Sequence, residues 1–115
     1  MSAPGKVGTL DAVETVSLGG GVGGRVSSVV VQFEFLDSAD ASITIQGRTQ
    51  RVNDNDKDRT LLAVAYKDFQ TGANSTSAIT GNKSILVDAA GLELYADVTT
   101  ITTGSVAFSA LPLLG

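Results

Sequence analysis

The chain contains no cysteine, no histidine and no tryptophan, and only two prolines. Without cysteine no disulfide can staple the fold, so its stability has to come from packing or from assembly. Without cysteine and histidine there is no Ser-His or Cys-His nucleophile and no zinc site of the usual kinds. Charge is scarce too: Asp, Glu, Lys and Arg make up 17% of the residues, below the usual quarter. Twelve acidic and eight basic residues give a net charge of −4. No basic run exists; Arg48 and Arg51 come closest to one. An acidic domain does not attract phosphate backbones or anionic headgroups, so neither nucleic acid nor a membrane is an expected partner. The longest apolar run is far short of the roughly 20 residues that cross a bilayer. Residues 1–10 carry one lysine and lack the apolar core of a secretory signal. The expectation is a protein made in the cytosol.

Ser, Thr and Gly take the place of the missing charges. They accompany short runs in which apolar and polar residues alternate, as in Leu92-Glu93-Leu94-Tyr95-Ala96-Asp97-Val98. A period of two is the signature of a strand with one face buried and one wet. The same pattern puts Val29, Val31, Phe33 and Phe35 on one face of residues 26–36, with Gln32 and Glu34 on the other. It puts Ile43, Ile45 and Gly47 inward within residues 41–49, and Ser42, Thr44, Gln46 and Arg48 outward. Asp37-Ser38-Ala39-Asp40 between them reads as a hairpin turn, and residues 100–104 as a second one. Residues 12–18 read as an edge strand, the continuous apolar run 61–66 as a strand covered on both faces, and Ile85 with Val87 as a short strand. Residues 68–80, with Thr71-Gly72 and Asn74-Ser75 as turn signals, read as loop. No segment of useful length has helical periodicity.

At 115 residues this is one domain. The expected fold is all-β: a single antiparallel β-sandwich of about six to eight strands, jelly-roll or Ig-like, because a one-sided sheet must cover its apolar face with another. A small closed barrel is the competitor. Residues 1–11 read as an extended N-terminal arm, 12–110 as the sandwich, and 111–115 as an apolar tail whose Pro112 does not suit a central strand.

The reactive-looking constellations each fall short. Gly19, Gly21 and Gly24 make a formal G-x-G-x-x-G, but a dinucleotide site needs a helix after it and here a strand follows. Asp54, Asn55, Asp56 and Asp58 resemble the start of a calcium loop, yet Arg59 and Ala65 occupy the positions where an EF-hand has Gly and Glu. Glu34, Glu93 and Asp97 fall on wet strand faces, which suits solubility better than paired-carboxylate catalysis. Tyr66, Phe69 and Tyr95 raise the alternative of a carbohydrate-stacking platform. Asn74-Ser75-Thr76 and Asn82-Lys83-Ser84 match the glycosylation acceptor, a chance match without a secretory signal. The expectation is therefore no enzyme, no cofactor and no bound metal.

Several segments together resemble the small β-sandwich virion proteins of tailed bacteriophages. They are Ala63-Val64-Ala65-Tyr66-Lys67-Asp68, then Thr71-Gly72, then Ile85-Leu86-Val87-Asp88-Ala89-Ala90-Gly91-Leu92, and the Thr/Gly stretch 100–106. In those proteins a V-A-Y strand precedes a Thr-Gly turn, an apolar strand ends in a V-D-x-x-G-L corner, and a last Thr/Gly turn precedes the C-terminus. Ile43-Thr44-Ile45-Gln46-Gly47 is similar to their earlier V-T-V-Q-G strand. The likeness spans roughly residues 28–110, and the Gly-rich segment and apolar tail stand outside it. It implies a virion structural role: a capsid decoration (cement) protein, or alternatively a head–neck, tail or fibre-associated subunit. It implies the major capsid protein or other virion proteins as partners, alongside further copies of this chain in a homo-oligomer. The expected contact residues are Tyr95, Leu111, Leu113 and Leu114, the first for its place on a polar face, the leucines because exposed apolar tails require cover.

Overall fold

A strand of 24 residues, drawn straight, would be about 80 Å long, and the longest dimension of this molecule is 42 Å. In the computed structural model, which describes residues 6–20, 26–49, 60–89 and 92–114, two strands are that long and both bend. The strands are β1 (Lys6–Leu10), β2 (Thr15–Gly20), β3 (Val26–Thr49), β4 (Leu62–Ala63), β5 (Tyr66–Asp68), β6 (Asn74–Ser75), β7 (Lys83–Asp88) and β8 (Leu92–Leu114). There is no helix among the described residues. All pairings are antiparallel, within one sheet of order β1-β8-β3-β7-β5-β6, with β2 added to β8 and β4 to β3. The all-β, antiparallel expectation is borne out, and the order is open rather than closed into a barrel.

β3 and β8 pair along almost their whole lengths, from Val26 opposite Leu114 to Thr49 opposite Leu92. They form one long ribbon, and the two expected hairpins do not exist. Residues 37–40 and 100–104, each read from sequence as a reversal, meet at the same level of the ribbon, with Asp40 opposite Thr103 and Ala41 opposite Ile101. Turn chemistry in both strands at one register bends a ribbon instead of ending it. Asp37 and Ser38 adopt positive φ of 56° and 54°, Gly104 has φ 69°, and the register slips between Leu36 and Asp40 and again before Ala41. Bulges of this kind sharpen twist and re-aim a strand. Backbone groups freed by the slip are taken up by threonines: Thr103 Oγ1 donates to the Ser38 carbonyl at 3.3 Å and Thr99 Oγ1 to that of Ser42 at 3.2 Å.

Alternation survives the bend. Val29, Val31 and Phe33 before it, and Ala41, Ile43 and Ile45 after it, are all buried in one core with Leu94, Ala96, Val98, Val106, Phe108 and Ala110 of β8. The sheet thus folds over its own apolar face. Gly19, paired with Leu94 in one half, lies against Pro112 of the other: a Cβ on Gly19 would sit 3.4 Å from the proline ring. Phe33 stands opposite Phe108 in register, and both are buried. Ile79 closes one side by exchanging backbone hydrogen bonds with Ile43 at 3.0 and 2.7 Å.

Other segments depart from the sequence reading. Residues 6–10, assigned there to the arm, form β1 along β8 and bury Leu10 completely. Residues 111–114, assigned to the tail, are the end of β8 opposite Val26 to Val30. Pro112 sits there beyond the reach of β1, so among the described residues no strand requires its missing N–H on that side. The run 61–66 is no single strand; Leu62 is 67% exposed, Val64 packs half-buried against the core, and Tyr66 is the one residue of the run that is buried. Residues 12–14 precede β2, which is an edge strand as expected.

The bend makes a direct prediction. A Cβ at residue 104 would approach the Leu36 carbonyl oxygen to 2.5 Å and the Ala39 Cα to 2.7 Å, at a φ that L-residues resist. Gly104→Ala should cost about 2–3 kcal/mol, read as a lowered urea midpoint with an unchanged slope.

Candidate functional site

The outward faces of the two halves of the ribbon point in opposite directions, and the residues singled out from sequence divide between them. On the half beyond the bend, β3 and β8 place Arg48 opposite Glu93 and Gln46 opposite Tyr95. Arg48 Nε donates to Glu93 Oε2 at 3.0 Å, Arg48 Nη2 donates to the Tyr95 hydroxyl at 3.0 Å, and that hydroxyl donates to Glu93 Oε2 at 3.2 Å. The guanidinium also lies 5.2 Å from the centre of the Tyr95 ring. The hydrogen bond to Glu93 raises the Arg48 pKa still further, and Tyr95 adds to it. An ion pair this exposed contributes little to stability; its effect is to hold the half-buried Tyr95 in one orientation. Next along the strand, Thr15 Oγ1 of β2 donates to Asp97 Oδ1 at 3.1 Å.

On the opposite face, before the bend, the register aligns side chains into rows across the sheet. Leu111, Val30 and Leu86 form one row, and Ser109, Gln32 and Ser84 the next. Val7 of β1 lies opposite Ser109 and is 78% exposed, and Leu111 is 43% exposed. Leu113 is half-buried, its carbonyl accepting the Ser27 hydroxyl at 3.2 Å. Leu114 closes β8 opposite Val26. Tyr95 and Leu111 are therefore not brought together. At one end of the rows, an open depression of about 610 Å³ is bordered by Ser28, Lys67, Asn74, Leu86 and Asp88.

The remaining candidates disperse. Glu34 is exposed, Glu93 is engaged by Arg48, and Asp97 by Thr15, so the three carboxylates share no centre. Among the described residues no group of three or more His, Cys, Asp or Glu could hold a metal. The Asp54–Asp58 segment and Gly21 to Gly24 lie outside the described residues, while Gly19 belongs to β2. The three aromatics make no platform: Tyr66 is in the core, with its hydroxyl donating to the Ser77 carbonyl at 2.8 Å, whereas Phe69 is 50% exposed on a turn. Asn82, a formal glycosylation acceptor, uses Oδ1 to accept the Phe35 N–H at 2.7 Å.

Sequence reasoning missed one polar cluster, at the rim of the core. Asp68 is buried; it accepts the Gln70 N–H at 2.8 Å and pairs with Lys83 Nζ at 3.1 Å, while Lys83 lies 5.7 Å from the Tyr66 ring centre. No local signal links Asp68 to Lys83; only the β5–β7 pairing does. The Gln70 N–H, with help from Lys83, holds the Asp68 carboxyl below its ordinary range, and Asp68 in turn raises Lys83.

No protein-family model and no curated protein matches the chain. Among solved structures, the crystal structure of the SPBc2 prophage-derived protein YomS is similar, with a TM-score of 0.66 at 16% identity. The match covers 97% of this chain and 94% of that one. The two proteins share a fold from one end to the other.

The Asp68 pair gives a pH prediction. A carboxyl whose folded pKa is depressed stabilises the fold above its unfolded value and loses that contribution as pH falls through the folded value. Stability should therefore decline as pH drops below about 4, the ordinary Asp range. Asp68→Asn should be less stable at neutral pH, and its denaturation midpoint should change less across this acid window than that of the parent.

Proposed function

We propose that this chain is a bacteriophage virion structural protein, and within the particle a capsid decoration (cement) protein. The observation that carries the reading is the fold shared, over nearly the full length of both chains, with a prophage-derived protein. The resemblance to phage virion proteins supports it from a separate direction: its segments occupy β3, β5, β7 and the bend of β8, the elements that build the folded-over sheet.

The surfaces suit such a role. A decoration protein works by burying its faces and edges against capsid subunits and sister copies. The rows of Leu111, Val30 and Leu86 and of Ser109, Gln32 and Ser84 present no charge across three strands. Uncharged groups cost far less to desolvate than ions. With about 800 Å² buried per partner in a standard interface, a few such patches per lattice site would reinforce a shell. The second reading, a neck, tail or fibre-associated subunit, uses the same surfaces in fewer copies.

Quantitative mass spectrometry of purified particles tests the proposal. A decoration protein should be present in hundreds of copies, a tail or neck part in few, and absence from the particle would end both readings. Leu111→Lys, on an exposed side chain, should lower occupancy on the particle while the melting temperature of the isolated domain stays within a few degrees.

A further inference from the structure

Four strands of the sheet have an unpaired side among the described residues: β1, β2, β4 and β6. Three are poor templates for another strand. β4 and β6 are two residues each. β2 is broken by a bulge between Ser17 and Gly19, and Gly19 has φ 95°; bulges at an edge are a device that blocks pairing. β1 is different. Its five residues, Lys6-Val7-Gly8-Thr9-Leu10, pair with β8 in unbroken register from Ala110 to Val106. In a regular antiparallel strand alternate residues turn their N–H and C=O away from the neighbour, so β1 offers a flat row of donors and acceptors. No proline or bulge interrupts it. Its outward side chains are Val7, 78% exposed, and Thr9.

We infer that β1 is a self-association edge, pairing antiparallel with β1 of a second copy about a two-fold axis near Gly8. The sequence of the strand is self-complementary for that arrangement. Pairing centred on Gly8 sets Val7 of each chain opposite Thr9 of the other, and Lys6 opposite Leu10. Lys6 is then carried to the end of the partner strand, where Asp11 follows and Glu14 is near. Each dimer gains this plus-to-minus match twice, because an isologous contact repeats every interaction. A parallel alignment would instead bring like charges together. The pairing adds about four backbone hydrogen bonds and covers Val7, which continues the Ser109–Gln32–Ser84 row as far as the axis. A five-residue edge buries much less than the area of a standard interface, so the dimer in free solution is weak and concentration-dependent. This inference specifies the self-association that the virion reading includes, but it rests on the geometry of β1 alone.

Sedimentation velocity across a wide concentration range tests it. The 11.7 kDa chain should shift from monomer toward dimer as concentration rises. Val7→Lys with Thr9→Lys places like charges face to face on the outer surface, away from the core, and should weaken dimerisation at least tenfold with an unchanged melting temperature. Lys6→Glu should also weaken it, and Lys6→Glu combined with Asp11→Lys should restore it. A chain that stays monomeric throughout, a lysine double variant that dimerises like the parent, or a charge swap that fails to rescue would each overturn the edge pairing. Particle copy number is measured separately, so loss of the dimer and absence from the particle are distinguishable results.

Discussion

The structure depends on one bend shared by two strands. β3 and β8 are far too long to lie straight in a molecule of this size, and they are hydrogen-bonded to each other over nearly their full lengths. Neither can bend alone without tearing the ladder. The chain resolves this by putting positive-φ residues in β3 at the level where β8 carries Gly104. Thr103 beside that glycine, and Thr99 a little before it, donate to carbonyls of β3 at Ser38 and Ser42. Everything else follows from that fold-over. The same alternation, carried through both arms of the ribbon, now points two apolar half-faces at each other. The smaller strands are added at the margins: β1 and β2 along β8, β7 and β4 along β3.

This explains which parts of the fold were legible in the sequence. The facing of each side chain is local information, and Val29, Val31, Phe33, Ile43 and Ile45 are buried as their spacing implies. What a turn signal does is not local. Asp-Ser-Ala-Asp reverses a chain when the flanking strands pair with each other, and bends it when both pair with a third. Here β8 is that third strand, about sixty residues away. The run 61–66 misleads for a related reason: continuous apolarity suggests burial on both faces, but a two-residue strand at the margin leaves Leu62 in solvent. Val64 packs half-buried against the core and Tyr66 is buried in it, where its hydroxyl still finds a carbonyl, as a buried phenol must.

The polar clusters teach the same lesson. Tyr95 was recognisable as an outward residue, but its partners Arg48 and Glu93 were identifiable only once the β3–β8 register was known. Asp68 and Lys83 depend in the same way on the pairing of β5 with β7. Leu111 and Leu113 looked like an unattached tail because Pro112 between them argues against a central strand. Among the described residues β1 pairs with β8 no further than Ala110, so none of them requires the proline's missing N–H on that side.

The distribution of charge then bears on what the surface is for. The chain has few ions, and several are neutralised within it: Arg48 by Glu93, Lys83 by Asp68. A charge already paired inside its own subunit needs no matching group on a neighbour when it is covered. An isolated charge does need one, because burying it unpaired is expensive. Across β8, β3 and β7 the Leu111–Val30–Leu86 and Ser109–Gln32–Ser84 rows carry no ion, and charge begins at their margins, with Lys67 opposite Leu86, Asp88 opposite Ser28 and Glu34 opposite Ala107. Contact on such a face is set by shape and by backbone rather than by a unique charge pattern. That suits a subunit that must bind in many equivalent places, and it leaves the charges near the ends of β1 to fix direction.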